Sequence, residues 1–448
     1  MNKYESKQFY SDILVLLLPI VFQNLINVGV TMTDVVMLGN VNETSLAACS
    51  LAGQIQFIMM LVFSGLTAGA SVLTAQYWGK KDTRTIEKVM AITMRFSLCI
   101  GLFFALLAIF TPEMLIRIYS PENIIIREGS QYLRIVGLSY LFMSVTNIYL
   151  YIMRSVEQVL VATIIYSISL LFNIGADWIL IFGLFGLSPM GIRGAAMGTL
   201  LSRLLELILV FIYARFFNHV IHFRLSDMIL SSPLLLKDFL KYSTPTVLNE
   251  IVCGVGLSAN AAILGHLGSA AVAANSVAQM CRQLATIVAF GIANVAGVMI
   301  GKKIGASEYR LTREYARKFI KLSLLTGGAA AFILVLIRPV IVHSMKLSSL
   351  AGHYLSFMFF VVAYFSIAKS FNTTMVSTFR AGGDTKTGLV MDITMMWGGS
   401  ILLGFLAAFV FRLDVRIVYV FLLSDEILKV PISVWRYRSG KWLNNVTR

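Results

Sequence analysis

Two aspartates lie in apolar stretches where an ionised side chain is costly. Asp34 falls within residues 13–38, and Asp177 falls within residues 159–183, with Asn173 four positions before it. If both stretches cross a membrane, each carboxylate costs about 2.5–3.5 kcal/mol to insert, so an acid at this depth indicates a functional site. Neither stretch contains a Lys or Arg that would neutralise it. The two carboxylates therefore predict a site that handles cations.

The composition indicates that these stretches do lie in a membrane. Of the 448 residues, 58% are hydrophobic and only 13% are charged, and the mean hydropathy is +0.80. Apolar runs long enough to cross a hydrocarbon core of about 30 Å recur along nearly the whole chain. These runs predict an all-α polytopic membrane protein with twelve transmembrane helices, at approximately residues 13–38, 46–76, 88–112, 130–154, 159–183, 191–215, 239–263, 272–300, 315–340, 350–378, 387–410 and 415–435.

The basic residues indicate the orientation of these helices. The net charge is +15, and Lys and Arg concentrate in every second connection, for example in residues 80–88, 215–241 and 302–321. This asymmetry is typical of cytoplasmic connections. It accounts for the basic excess without nucleic-acid binding, so we expect no nucleic-acid partner. The prediction is a multi-pass protein of the cell inner (plasma) membrane with both termini in the cytoplasm.

An internal repeat divides the chain into two lobes. An offset of 226 residues carries Pro19 onto Pro245, Leu38-Gly39 onto Leu264-Gly265, and Arg154 onto Arg380. Self-similarity at one fixed offset indicates a duplicated unit. Because each unit holds an even number of helices, the two should be parallel and related by a pseudo-two-fold axis along the membrane normal. We therefore predict an amino-terminal lobe (1–225, helices 1–6, ending in a cytoplasmic linker) and a carboxyl-terminal lobe (226–448, helices 7–12).

The repeat also predicts where an ion would bind. The same offset aligns Asp34, Asn173 and Asp177 with Asn260, Gly399 and Leu403. A duplication kept only for packing gives no reason for this difference, whereas a single ion site needs only one copy. We therefore expect the acids of these aligned positions, and with them the ion site, to lie in the amino-terminal lobe alone.

Catalytic and cofactor motifs are not found in the sequence. The four cysteines are far apart, and there is no Gly-x-Ser-x-Gly, His-Glu-x-x-His or Walker Gly-Lys-Thr segment. The sequence therefore predicts no enzyme and no cofactor. Two parallel lobes around a buried site are instead typical of carriers that work by alternating access.

Four segments resemble the bacterial branch of the multidrug and toxic compound extrusion (MATE) transporters. They are LPIVFQNLINVGVTMTDVVMLGNVNETSLAA, GLTAGASVLTAQYWGKKD, NIGADWILIFGLFGLSPMGIRGAAMGT and FRAGGDTKTG. The resemblance implies a cation-coupled multidrug exporter that exchanges H⁺ or Na⁺ for organic compounds. It places the cation-coupling site at Asp34, Asn173 and Asp177, with Asn27 and Thr199 as further candidates nearby.

The coupling ion stays open at this point. Na⁺ prefers several hard oxygen ligands, which Asp34, Asp177 and the Asn173 amide would supply by the logic of other hard-cation sites. A proton needs only one buried carboxylate. Either ion would compete with a cationic compound for the same negative charges, which gives exchange. The expected substrates are small, cationic and amphipathic organic compounds, and the expected state is a monomer in the lipid bilayer.

The carboxyl-terminal lobe departs from one branch of the family, in which helices 7 and 10 carry an acidic pair. Here the tenth run has Lys369 and no acid, while the seventh has Glu250. Two interpretations remain for Glu250: an ion pair with Lys369, or a coupling carboxylate. Arg282 in the eighth run is a further candidate, as a partner or as a charge that excludes substrates.

A lipid-linked oligosaccharide flippase of a related fold is the alternative function. Such a protein is expected to show a strongly basic central cavity for pyrophosphate. Here the deep charges at Asp34 and Asp177 are acidic, which favours export of cationic compounds.

Overall fold

The computed structural model describes residues 3–222, 228, 232–345 and 347–447, except for several side chains in the first helix, those of Asn27 and Asp34 among them. Every regular element in these residues is a helix. The all-α polytopic class that the sequence predicts is confirmed. The helices extend beyond the apolar runs. A helix of 37 residues is about 55 Å long, whereas the hydrocarbon core is about 30 Å thick, so the ends of the longest helices lie outside the core.

The described residues of the first half form eight α-helices. Their bounds are α1 Lys3–Gly39, α2 Glu43–Gly79, α3 Thr83–Phe110, α4 Pro112–Arg117, α5 Asn123–Val136, α6 Ser139–Ser155, α7 Val159–Phe182 and α8 Ile192–Ile212, the last continuing as a π-helical turn over Tyr213–Phe217. Side-chain caps fix some of the starts. Asp82, for example, accepts a hydrogen bond from the backbone N–H of Thr85 at 3.0 Å and begins α3.

The second half forms the remaining helices. Their bounds are α9 Pro233–His266, α10 Ser269–Gly305, α11 Tyr309–Ser344, α12 Ser349–Ala381, α13 Lys386–Met391, α14 Leu402–Phe405, α15 Val415–Leu423 and α16 Asp425–Arg438. Residues Asp392–Ile401 and Leu406–Val410 are π-helical, so the stretch 386–410 is one helix of changing pitch. Wider π-helical turns are uncommon and occur often at functional sites.

Most of these helices are long and apolar enough to cross a membrane. Ten helices of the described chain meet that criterion, and α5 with α6 forms an eleventh span that bends by 51°. The bend falls at Gly137, where a Cβ would lie 3.0 Å from the Ala108 Cβ atom. The twelfth predicted span, 415–435, divides at Ser424 into α15 and α16. It contains several charged residues, whose partners are described below.

The chain divides into two compact units. One contains residues 18–74 and 81–241, and the other contains residues 1–17, 75–80 and 242–448. The core of the first includes Phe63, Leu133 and Tyr140. The core of the second includes Phe359 and Tyr419. The candidate sites described next each lie within one unit.

Candidate functional site

Asp177 and Asn173 lie on one face of α7 and are both buried. Their exposed fractions are 0% and 3%. A spacing of four residues places them about one helical turn apart. The Oδ1 atom of Asn173 is buried and accepts no hydrogen bond from the described residues. A buried oxygen of this kind is expected to bind a ligand or a water molecule.

Two glycines bring α8 against this face of α7. A Cβ atom at Gly198 would collide with the Asp177 carboxylate oxygen, and one at Gly194 would lie 2.6 Å from the Leu180 carbonyl carbon. Small residues four positions apart allow helix backbones to approach closely in membranes. The GIRGAAMGT segment therefore positions the Asp177 carboxylate against the backbone of α8.

A small cavity opens beside Asn173. Its volume is about 10 Å³, enough for a single water-sized occupant. The lining residues are Ile26, Tyr166, Ser169, Leu170, Asn173, Ser202 and Arg203. Hydroxyl, amide and guanidinium groups thus surround a space of the size that one small ion or water needs.

A buried ion pair that was not predicted from the sequence lies at this cavity. Arg203 Nη1 lies 2.7 Å from Glu206 Oε2, and Glu206 is fully buried. Both residues fall in the predicted sixth span, where ionisable side chains are rare and typically functional. That signal was present in the segment SRLLE. The pair is neutral as a unit, so the net charge of the site depends on its other carboxylates.

Gln23 is a second residue that the sequence analysis missed. It is completely buried on α1. Its amide donates to Thr163 Oγ1 at 2.7 Å and to the Val159 carbonyl at 3.2 Å, and it accepts from Arg154. These bonds hold the α1 segment after Pro19 against the start of α7.

The other residues predicted for the amino-terminal site are Asp34, Asn27 and Thr199. The side chains of Asp34 and Asn27 lie outside the described residues, so their roles stay predictions. Thr199 is half-buried on α8, and its carbonyl accepts a hydrogen bond from Ser202 at 2.8 Å. No cluster of three or more His, Cys, Asp or Glu side chains forms a metal site in the described part of the chain. The possible Na⁺ site at Asp34, Asn173 and Asp177 includes an undescribed side chain and also stays a prediction.

The predicted ion pair between Glu250 and Lys369 is wrong. Glu250 instead pairs with Arg380 at 3.2 Å, and Lys369 pairs with Glu426 at 2.8 Å. The reason is distance along α12: eleven residues separate Lys369 from Arg380, which is about 16 Å of helix. Because Glu250 reaches Arg380, it lies too far along α12 to reach Lys369 as well.

Arg282 does not complete an ion pair with Glu250 either. It lies half-buried on α10, and its guanidinium donates to the side chain of Gln279, three residues earlier in the same helix. Its proposed role as a substrate-excluding charge is not tested by this contact.

Besides Glu250, the carboxyl-terminal lobe holds three further buried acids. Asp392, Asp425 and Glu426 lie in the predicted eleventh and twelfth spans and are largely buried, with Lys429 between the two aspartates. The repeat alignment compared only the positions equivalent to Asp34 and Asp177. Acids at positions unique to the second half were therefore overlooked.

The long apolar helices of the described chain define a polytopic membrane protein. The MatE family profile matches residues 19–179 and 245–429. The chain therefore belongs to the MatE family of multidrug efflux transporters, which are not enzymes.

Three relatives illustrate the match. The probable multidrug resistance protein YoeA of Bacillus subtilis is 23% identical over 94% of this chain and 91% of its own length. The probable multidrug resistance protein NorM of Thermotoga maritima is 22% identical over 99% and 95%. A solved transporter of the MOP superfamily from Pyrococcus furiosus, reported with a binding pocket of reversed polarity that suggests a different function, shares the fold with a TM-score of 0.87 at 18% identity, over 96% of this chain and 95% of its own.

Proposed function

We propose that this protein is a secondary active antiporter that exports organic, often cationic and amphipathic compounds against an inward flow of H⁺ or Na⁺. It works by alternating access as a monomer in the cell inner membrane, with both termini in the cytoplasm. The two lobes of the mechanism are residues 1–225 and 226–448. The names of the bacterial relatives support multidrug resistance as the role.

The observation that carries the proposal is the burial of Asp177. Its exposed fraction is 0%, and it lies within a span that contains no Lys or Arg. Negative charge at this depth is costly unless a cation accompanies it. The carboxylates of Asp177 and Asp34 are therefore the groups through which this lobe binds its coupling ion.

The site supplies different contacts for each of the two ions. For Na⁺, the free Oδ1 of Asn173 adds an amide oxygen to the carboxylates, as hard cations prefer. For H⁺, the proton binds a carboxylate oxygen of Asp177 or Asp34 and needs no further ligand. In both cases an organic cation and the ion compete for the same negative charge. Binding of one therefore releases the other.

Transport by purified protein tests the proposal. Full-length protein is reconstituted in liposomes, and ethidium movement is followed under an imposed pH gradient and then under an imposed Na⁺ gradient. We expect at least one gradient to drive ethidium against its concentration difference. Dissipation of that gradient by an ionophore serves as the control. Ethidium movement that is indifferent to both gradients would refute ion-coupled export.

A further inference from the structure

We propose that Asp425 is a proton-binding site in the carboxyl-terminal half, formed with Lys429 and Asp392. This site would be a second coupling position, formed by helices other than α7 and α8. Its role in transport rests on the proposed function. The proton reaction is simple: a hydronium ion transfers H⁺ to the Asp425 carboxylate and leaves water.

One lysine serves two carboxylates. The Nζ atom of Lys429 lies 2.6 Å from Asp392 Oδ1 and 2.6 Å from Asp425 Oδ2. The side-chain exposures are 7%, 15% and 10% for the lysine and the two acids. With all three groups ionised, this triad carries a net charge of −1 between the predicted eleventh and twelfth spans.

The neighbouring charges do not compensate this excess. Glu426 pairs with Lys369 at 2.8 Å, and Glu250 pairs with Arg380 at 3.2 Å, so each pair is neutral. Asp384 and Arg436 form a third pair at 2.6 Å. The triad is therefore one positive charge short of neutrality, and an uncompensated charge in a membrane is costly. One proton supplies that charge.

The hydrogen bonds indicate which aspartate binds the proton. Asp392 accepts from Lys429, from the Asn249 amide and from the Cys253 thiol, the last at 3.0 Å. Three donors stabilise its ionised form. Among the described residues, Asp425 accepts a side-chain hydrogen bond from Lys429 alone.

The remaining surroundings of Asp425 also disfavour its negative charge. The Glu426 carboxylate follows it directly, and the opposing positive charges are Lys429 and Lys369, of which Lys369 is held by Glu426. The helix start contributes little, because Ser424 has helical backbone angles and its N–H donates to the Phe421 carbonyl at 3.1 Å, so that α15 runs on into α16. Asp425 is thus the carboxylate that gains most from protonation.

The position of Asp425 connects protonation to the shape of the last span. It is the first residue of α16, directly after the junction at Ser424. In the ionised state Lys429 ties Asp425 to Asp392, which begins the π-helical segment of the preceding span. Protonation of Asp425 leaves Lys429 paired with Asp392 and releases the start of α16 from this bridge.

Infrared difference spectroscopy of the full-length protein in lipid tests the site without requiring transport. A protonated carboxylic acid has a carbonyl band separate from that of carboxylates. We expect the band assigned to this site to be lost in Asp425→Asn. It should also be lost in Asp392→Asn, because the remaining Asp425–Lys429 pair is then neutral and holds no proton.

Asp414→Asn is the matched control, because Asp414 caps α15 from an exposed loop and Asn caps helices equally well. We expect the band to persist in this variant. A band that survives in Asp425→Asn, or a wild-type protein without such a band from pH 5 to 8, would overturn the proposal. Because the readout does not depend on ethidium export, failure of this site and failure of the proposed function are distinguishable. Asp425→Asn mimics the protonated, neutral triad, so it is expected to fold.

Discussion

Gly198 of α8 lies directly against the carboxylate of Asp177 on α7, with no space for a side-chain carbon between them. The contact shows that the geometry of the acidic site depends on a residue that carries no charge. Any added volume at position 198 must displace either the carboxylate or the helix.

Gly198→Ala is therefore expected to impair transport strongly, although it adds only one methyl group. Overpacking of this kind costs about 1–3 kcal/mol. We expect gradient-driven ethidium transport to fall by about tenfold, which corresponds to about 1.4 kcal/mol. The matched control is Gly175→Ala on α7, where a Cβ meets no atom within 4 Å. Equal activity of the two variants would show that the close approach of α8 does not matter.

The buried pair of Arg203 and Glu206 should matter for folding. Arg203→Met leaves a fully buried carboxylate without its partner, and such a loss costs about 3–5 kcal/mol. Glu206→Met should cost a similar amount, and the double variant should be more stable than the sum of the single losses predicts. Thermal unfolding in detergent measures all three.

The exposed pair of Arg134 and Glu113 is the control for these single and double variants. Its side chains are 57% and 46% exposed, and surface pairs contribute about 0–1 kcal/mol. A strictly additive result for Arg203 and Glu206, or an equally large effect at Arg134, would contradict the assigned role of burial.

Two lysines of the carboxyl-terminal half should differ in importance. Lys429→Met removes the bridge between Asp392 and Asp425 and leaves two buried acids, whereas Lys369→Met removes one partner of Glu426. The side-chain exposures are 7% for Lys429 and 40% for Lys369. We expect Lys429→Met to lower the midpoint of thermal unfolding more than Lys369→Met. The reverse order would contradict the arrangement of charges described above.

Gln23 offers a test of how α1 is held. Gln23→Met keeps the volume of the side chain but removes hydrogen bonds to Thr163, Val159 and Arg154. Leaving buried partners unsatisfied costs about 1–3 kcal/mol. The midpoint of unfolding should fall measurably, whereas the same replacement at Gln54, an exposed residue of α2, should have little effect. Indistinguishable midpoints would argue against this contact.

Much of the fold was predictable from the sequence because hydrophobic runs and helix length follow directly from the thickness of a bilayer. The irregularities within the helices could not be predicted in the same way. They are the bend at Gly137, the π-helical segment after Met391 and the division at Ser424. Apolar composition alone does not contain that information.

The site was predictable where charge contrasts with its surroundings. Asp177 and Asn173 are buried on one face of α7, as their spacing indicates. The partner of Glu250 was not predictable, because its choice between Lys369 and Arg380 depends on how far α9 and α12 overlap. The acids at 392 and 425 were present in the sequence, but the repeat alignment directed attention to other positions.

Neutralisation of Asp177 tests the central claim most directly. Asp177→Asn removes the buried negative charge and keeps the shape of the side chain, and Asp414→Asn removes an exposed one. Hydrogen bonding to Arg416 holds the pKa of the Asp414 carboxyl below its usual range, so the control substitution removes a full charge at neutral pH. In liposomes with the driving gradient imposed, we predict that Asp177→Asn abolishes uphill ethidium transport while Asp414→Asn retains it. Undiminished transport by Asp177→Asn would contradict the account.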